Sequence, residues 1–347
     1  MVMKFSKLLK CCNAFIITSP ANLFYLSGYK NADAVIVASN KGAYYITDAR
    51  YTEESGQAIK HMEIVPAIPS DIFEVAGKLL EGASDIGYEK ASVLYADYLK
   101  IANLTHNLID ISDKISALRM IKSDKEIEKI QNAQDITDKV FEKILEYIAP
   151  NITERQLASK LESLLFEYGA DSLAFTSIVA SGTNTSKPHA QRTDKPLAKG
   201  DLITLDFGAR LGGYCSDMTR TVALGHLNER EKEIYSLVLS AQSNALENIQ
   251  AGISGKEADA LARNVFKSKG YEQYFTHSLG HGLGIQVHEP PALSLKSSDI
   301  LQENMVFSIE PGLYFENKFG IRIEDLVVLG KNGVINLTKS AKDLIIL

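Results

Sequence analysis

The sequence predicts a mixed α/β (α+β) protein in two parts, a small α/β domain over residues 1–118 and a larger domain over 119–347. Three observations carry that reading. Before residue 118, short β-branched and aromatic runs alternate with helix-like stretches. A capping box at Ser123-Asp124-Lys125-Glu126 then opens a long helix. From there the order helix, helix, strands occurs twice, which predicts a pseudo-two-fold domain even without convincing residue identity between the halves.

In the first part, Phe15–Thr18, Ala34–Ala38 and Ala43–Thr47 read as strands, with Asn40-Lys41-Gly42 as the turn between the last two. Helix-like stretches surround Tyr51–Lys60 and Asp71–Leu80, and no catalytic constellation is visible here. In the second part the helix opened at Ser123 runs to about Tyr147. Thr153-Glu154-Arg155-Gln156 opens another, which ends at Gly169, and strands follow over 174–223. The order then recurs. A helix runs from Asn228 to about Gln250, Ser254-Gly255-Lys256-Glu257 opens one stopped by Gly270, and strands close the chain.

Composition narrows the function classes. A length of 347 residues suffices for two cores. The formal net charge of −6, with 23% charged residues in no long like-sign run, gives no basic surface for nucleic acid. Cys11, Cys12 and Cys215 form no disulfide framework, so a reducing, cytoplasmic setting is expected. Lys4, Lys7 and Lys10 mimic the start of a signal peptide, but Ala14-Phe15-Ile16-Ile17 is too short an apolar core. No window reaches the roughly 18 apolar residues of a membrane span.

The chemistry sits in the last 150 positions. Asp206 lies in the apolar run Leu202–Gly208, and Asp217 lies in Tyr214–Val222. Arg210-Leu211-Gly212-Gly213 reads as the turn between them, and with Leu211 and Gly212 central, Asp206 falls directly opposite Asp217. Opposed side chains there have Cβ atoms about 5 Å apart, a spacing that suits bridging ligands of two cations roughly 3.5–4 Å apart. Alone, the pair also reads as two solvated aspartates on an edge hairpin. A second pair changes that. Glu310 ends the strand Met305–Ile309 before Pro311-Gly312, and Glu324 is embedded in the apolar Ile321–Val328 with Arg322 on the same face. A charged residue in an apolar strand is seldom buried unless paired or metal-bound.

Histidines cluster in the same region. Ser278–Gly284 is too rich in glycine for a helix, so a loop or short strand displays His277 and His281. His288 precedes Pro290-Pro291, which holds the chain extended, and His189 follows the turn-rich Ser181–Pro188. His61, His106 and His226 read as ordinary solvated residues.

The stretches SGTNTSKPHA, DFGARLGGYCSDMTRT, HSLGHGLGIQVHEPP, SIEPGLY and RIEDLVV together resemble the Xaa-Pro aminopeptidase and prolidase family of dinuclear metallopeptidases. The resemblance is strong over about 119–347 and weaker over 1–118, through Asn22–Tyr29. It implies a creatinase-like N-terminal domain before a catalytic domain of the "pita-bread" fold. It also implies that Asp206, Asp217, His281, Glu310 and Glu324 are metal ligands, and that His189, His277, His288 and Arg322 bind substrate and stabilise the transition state. A homodimer is implied by the resemblance only.

The expected cofactor is two divalent cations. The oxygen-rich ligand set leans towards Mn²⁺, with Co²⁺ and Zn²⁺ as alternatives. Two such ions lower the pKa of a bridging water, giving a hydroxide near neutral pH. Glu310 is the expected proton shuttle to the leaving proline nitrogen, His277 and His288 the expected hydrogen-bond donors, and Arg322 the residue that orients ligands. The first expectation is an Xaa-Pro aminopeptidase acting on peptides with proline second, and the alternative is a prolidase restricted to Xaa-Pro dipeptides. Methionine aminopeptidase fits less well, since the Glu310–Glu324 gap is short for it and it lacks a domain like 1–118. A non-catalytic peptide-binding relative would have lost ligands that are present here.

Overall fold

The computed structural model describes residues 2–30, 33–105 and 107–347, so His106 lies outside the described residues. Its contacts divide the chain into two compact units, Met1–Arg119 and Met120–Leu347.

The first unit runs α1 (Val2–Leu8), β1 (Ala14–Ile17), α2 (Pro20–Ser27), β2 (Ala34–Ser39), β3 (Gly42–Thr47), α3 (Thr52–Ala58), β4 (Glu63–Pro66), α4 (Ile72–Leu79), β5 (Ile86–Tyr88), α5 (Tyr95–Ala102), β6 (Leu108–Asp110) and α6 (Ser112–Met120). Its six strands form one mixed sheet in the order β4-β3-β2-β1-β5-β6. The β2–β3 hairpin closes at Ser39 opposite Gly42, where the sequence places its turn. Buried Ala14, Ile16, Val35, Val37 and Ile46 meet Ala76 and Leu80 of the α4 region, an apolar layer between sheet and helix. His61 is not simply solvated. It is half-buried, donates through Nε2 to the Leu26 carbonyl at 2.9 Å and lies against Phe5, whereas His226 is exposed as expected.

The second unit opens with α7 (Asp124–Ile144), extended by a 3-10 turn to Tyr147, and α8 (Glu154–Glu167). Strands β7 (Ser172–Leu173), β8 (Ile178–Ser181), β9 (Leu202–Phe207), β10 (Ala209–Leu211), β11 (Tyr214–Cys215) and β12 (Met218–Ala223) follow. The second half repeats the order with α9 (Glu229–Asn248), α10 (Gly255–Ser268), β13 (Gly280–Gly282), β14 (Glu289–Leu293), β15 (Val306–Ile309), β16 (Gly312–Phe315), β17 (Phe319–Arg322), β18 (Asp325–Gly330) and β19 (Gly333–Asn336). The helix starts obey local chemistry. At all four, a glutamate or glutamine side chain at N3 accepts from the N-cap backbone N–H of Ser123, Thr153, Asn228 or Ser254. Each half buries its own core, with α7 and α8 over β8–β9–β12 and α9 and α10 over β13–β15–β18. The repeated order of two helices and then strands is the pseudo-two-fold arrangement expected of the second unit.

The strand register corrects one expectation. Leu211 pairs with Tyr214, and Asp206 pairs with Thr219 rather than Asp217. The turn is centred on Gly212 and Gly213, both at positive φ (54° and 84°), because two consecutive glycines adopt the hairpin-matched turn without the Cβ penalty that Leu211 would incur. The shift is two residues. It therefore keeps every side chain on its face, and Asp217 stays on the Asp206 side as a diagonal neighbour. Among the described residues no helix is long and apolar enough to cross a membrane, and all three cysteines are free.

Candidate metal centre

Asp217, Glu310 and Glu324 sit where the ladders are interrupted, and Asp206 lies near the end of β9. β9 and β12 separate from β10 and β11 at Gly208 and Ser216-Asp217. A Cβ at Gly208 would lie 2.0 Å from the Ser216 carbonyl oxygen, so only glycine lets the two strands approach there. In the second half, Ile309 is opposite Asp325 and Gly312 is opposite Arg322. Both ladders share one register, so Glu310 and Glu324 face each other across the gap between them. His281 is the middle residue of β13, which joins β15 through Gly282 opposite Phe307.

These elements open on one cavity of about 350 Å³, lined by all nine residues singled out above: His189, Asp206, Asp217, His277, His281, His288, Glu310, Arg322 and Glu324. Ligating atoms of Asp217, His281 and Glu324 lie within 4.8 Å of one another. His281 Nε2 is 3.7 Å from Asp217 Oδ2 and 3.3 Å from Glu310 Oε1. The other ring nitrogen of His281 is 3.2 Å from the Gly282 carbonyl, which turns Nε2 towards the carboxylates. Phe175, Ile178, Pro188, Val287 and Ala292 supply an apolar wall.

The charge balance is lopsided. Four carboxylates share the cavity with one guanidinium, Arg322. Burial first, and then repulsion from the other acids, holds the Asp217 and Glu324 carboxyls well above the usual carboxylate range. Burial also pushes Glu310 up to about 7, against the pull of Arg322. Desolvation lowers the His281 and His288 imidazoles, and it takes His277 down to about 3 with help from Arg322. Neutral imidazoles and crowded carboxylates are the protonation pattern a cation resolves.

One atom shows the fit directly. Glu324 Oε1 is buried and has no hydrogen-bond partner among the described residues, while its Oε2 accepts from Thr219 Oγ1 at 2.7 Å. An orphaned carboxylate oxygen beside two other acids and an imidazole costs free energy unless a cation meets it. The donor set of four carboxylates and one imidazole suits divalent ions such as Mn²⁺.

Arg322 is enclosed and fully engaged. It donates to Asp206 Oδ2 (2.6 Å), Thr219 Oγ1 (3.0 Å), Tyr314 Oη (2.7 Å) and the Pro188 carbonyl (3.2 Å). It has no bond to Asp325, which instead pairs with buried Arg220 and with Lys342, as opposite strand faces require. Three participants were not singled out in the sequence. Thr219 orients Glu324, Ser308 Oγ donates to Glu310 Oε1 at 3.0 Å, and Tyr314 Oη lies 2.9 Å from His277 Nε2. Period-two spacing from Asp217 and Glu310 marks Thr219 and Ser308; nothing local marks Tyr314.

Comparison with known proteins agrees with this architecture. A protein from Pyrococcus horikoshii named Xaa-Pro dipeptidase is 37% identical over 338 residues, covering 96% of this chain and 94% of its own. The solved structure called Xaa-Pro dipeptidase from Bacillus anthracis superposes with a TM-score of 0.96 at 36% identity, over 100% of this chain and 99% of that one. One called X-Pro aminopeptidase from Thermotoga maritima gives 0.91 at 37%, over 97% and 98%. Residues 9–121 match the creatinase/prolidase N-terminal domain, and residues 128–331 match metallopeptidase family M24. The chain is a metal-dependent peptidase belonging to metallopeptidase family M24.

Proposed function

We propose that this chain is an Xaa-Pro dipeptidase, a prolidase that hydrolyses the bond between a first residue and a C-terminal proline. The observation that carries a hydrolytic metal site is the orphaned, buried Glu324 Oε1 facing Asp217 and His281. The choice of dipeptides follows the names of the Pyrococcus and Bacillus relatives, which reverses the order of the two sequence expectations. A 350 Å³ cavity with an apolar wall is also of a size to enclose a dipeptide and its pyrrolidine ring. The second reading, an Xaa-Pro aminopeptidase, rests on the similarly related Thermotoga structure.

Asp206, Asp217, His281, Glu310 and Glu324 would hold two divalent cations, with Mn²⁺ the proposed metal. When bound, such ions lower the pKa of water and polarise the scissile carbonyl. The chain's own groups do the rest. Glu310 takes the proton from the attacking water and passes it to the proline nitrogen as the C–N bond breaks. His288 donates to the tetrahedral oxygen, and His189 binds substrate from the opposite loop. Neutral His277, by contrast, spends its one proton from Nδ1 on the Ser278 carbonyl (2.8 Å) and accepts at Nε2 from Tyr314 Oη, so it orients that hydroxyl rather than donating to substrate. Arg322 fixes the Asp206 carboxylate through its 2.6 Å contact.

The test is hydrolysis of Ala-Pro, Ala-Pro-Ala and Ala-Ala-Ala by metal-stripped chain reloaded with Mn²⁺. Cleavage of Ala-Pro alone is expected. Cleavage of the proline tripeptide supports the aminopeptidase instead, and cleavage of none, with metal bound, overturns both.

A further inference from the structure

Glu154 is a fully buried carboxylate that the reaction does not use. It is the first residue of α8, and every side-chain bond it makes runs to one loop, residues 181–193. Its Oε1 accepts from Ser181 N at 2.6 Å and Ser181 Oγ at 2.9 Å. Its Oε2 accepts from Asn184 Nδ2 at 3.0 Å, Thr193 N at 2.9 Å and Thr193 Oγ1 at 2.7 Å. Five donors saturate a group with about four lone-pair sites. They come from both arms of the loop, before and after its tip, and the tip is Pro188-His189. The Asn184 amide also donates to the Gln191 carbonyl at 3.1 Å, closing the loop on itself, while Arg322 holds the tip through the Pro188 carbonyl at 3.2 Å.

An apolar side chain here would leave two backbone N–H groups and three side-chain donors without an acceptor. What a carboxylate supplies is direction: acceptor oxygens that fix two backbone N–H groups and three side chains at once. The other half of the fold uses a similar arrangement. Buried Asp259 on α10 accepts from Leu279 N at 3.0 Å and grips Arg263, which donates to the carbonyls of Phe275 and His277. In each half, then, a buried acid on the second helix ties down a segment bearing a cavity histidine.

We propose that Glu154 is a positioning residue: it locks the 181–193 loop so that His189 is held at the substrate. The inference rests on the substrate-binding role assigned to His189 above. In Glu154→Gln the amide NH₂ must face the backbone N–H of either Ser181 or Thr193, and neither can turn away. That single-atom change loosens the base of the loop and leaves the metal-facing residues untouched.

The experiment is a double-mutant cycle on the Mn²⁺-loaded enzyme with Ala-Pro, using wild type, Glu154→Gln, His189→Ala and the double variant. It is paired with hydrogen exchange of the 181–193 amides in the metal-free chain. Glu154→Gln is expected to keep its metal content, to exchange faster in 181–193 only, and to lose about 10–100-fold in kcat/KM, the range for residues that orient a functional group. The double variant is expected to be no slower than His189→Ala alone. Losses that multiply across the two sites, or unchanged exchange in the loop, would overturn the proposal. Full activity in His189→Ala, with faster loop exchange in Glu154→Gln, overturns the role of His189 while leaving Glu154 as the anchor of the loop. Should Glu154→Gln fail to fold, Thr193→Val removes one donor and leaves the carboxylate in place. A loss not additive with His189→Ala then supports the proposal, and an additive one overturns it.

Discussion

Asp217 and His288 lie in one cavity but are expected to fail differently when removed. Asp217 is a buried carboxylate near His281 and Glu324, so Asp217→Ala should release metal and abolish turnover together. His288 is exposed at the cavity, its ring 4.2 Å from that of His281. His288→Ala should keep its metal and lose about 10²–10³-fold in kcat, the usual loss for one donor to a developing oxyanion. Metal analysis beside steady-state kinetics checks both, and equal metal content with near-normal rates in both variants contradicts the assignment. At this scale the sequence points to nine side chains that the fold gathers around one cavity. Charged residues inside apolar strands advertise themselves. Tyr314 does not: an aromatic in a strand reads as core, and only the fold brings its hydroxyl to Arg322 and His277.

Among the elements, the β9–β12 hairpin shows where local reading stops. Helix starts were legible because a capping box is written in four consecutive residues, and all four predicted starts fall at their caps. The hairpin register was not, because Leu-Gly and Gly-Gly turns compete within Arg210–Gly213 and only the tolerance of two glycines for positive φ decides between them. The short strands β4, β5 and β6 were also missed, as three or four residues carry too little periodicity to stand out. The close approach at Gly208 gives a test of the element itself. Gly208→Ala places a Cβ 2.0 Å from the Ser216 carbonyl oxygen, and no flexible side chain is there to yield. Backbone must move beside Asp217, at a cost of about 1–3 kcal/mol. Thermal melts should show a lower Tm for Gly208→Ala, with weaker metal retention. An unchanged Tm would mean the strands can separate without penalty.

Over the whole molecule, metal, protons and stability are coupled through the same carboxylates. Burial and mutual repulsion raise Asp217, Glu310 and Glu324 in the folded chain, Glu310 to about 7. Without metal, the folded state therefore binds more protons than the unfolded one between about pH 4 and 7. Stability from these groups is present at acid pH and is lost as pH rises through that window. Cations need the deprotonated carboxylates, so binding releases protons and tightens as pH rises. The increase in Tm caused by Mn²⁺ should accordingly be larger at pH 8 than at pH 6, and the reverse order would contradict the carboxylate ligand set. The most direct measurement is calorimetric titration of metal-stripped chain with Mn²⁺ at neutral pH in two buffers of different ionisation enthalpy. Two ions per chain, bound with net release of protons, is the predicted result; one ion or none per chain would contradict a dinuclear site built from these five residues.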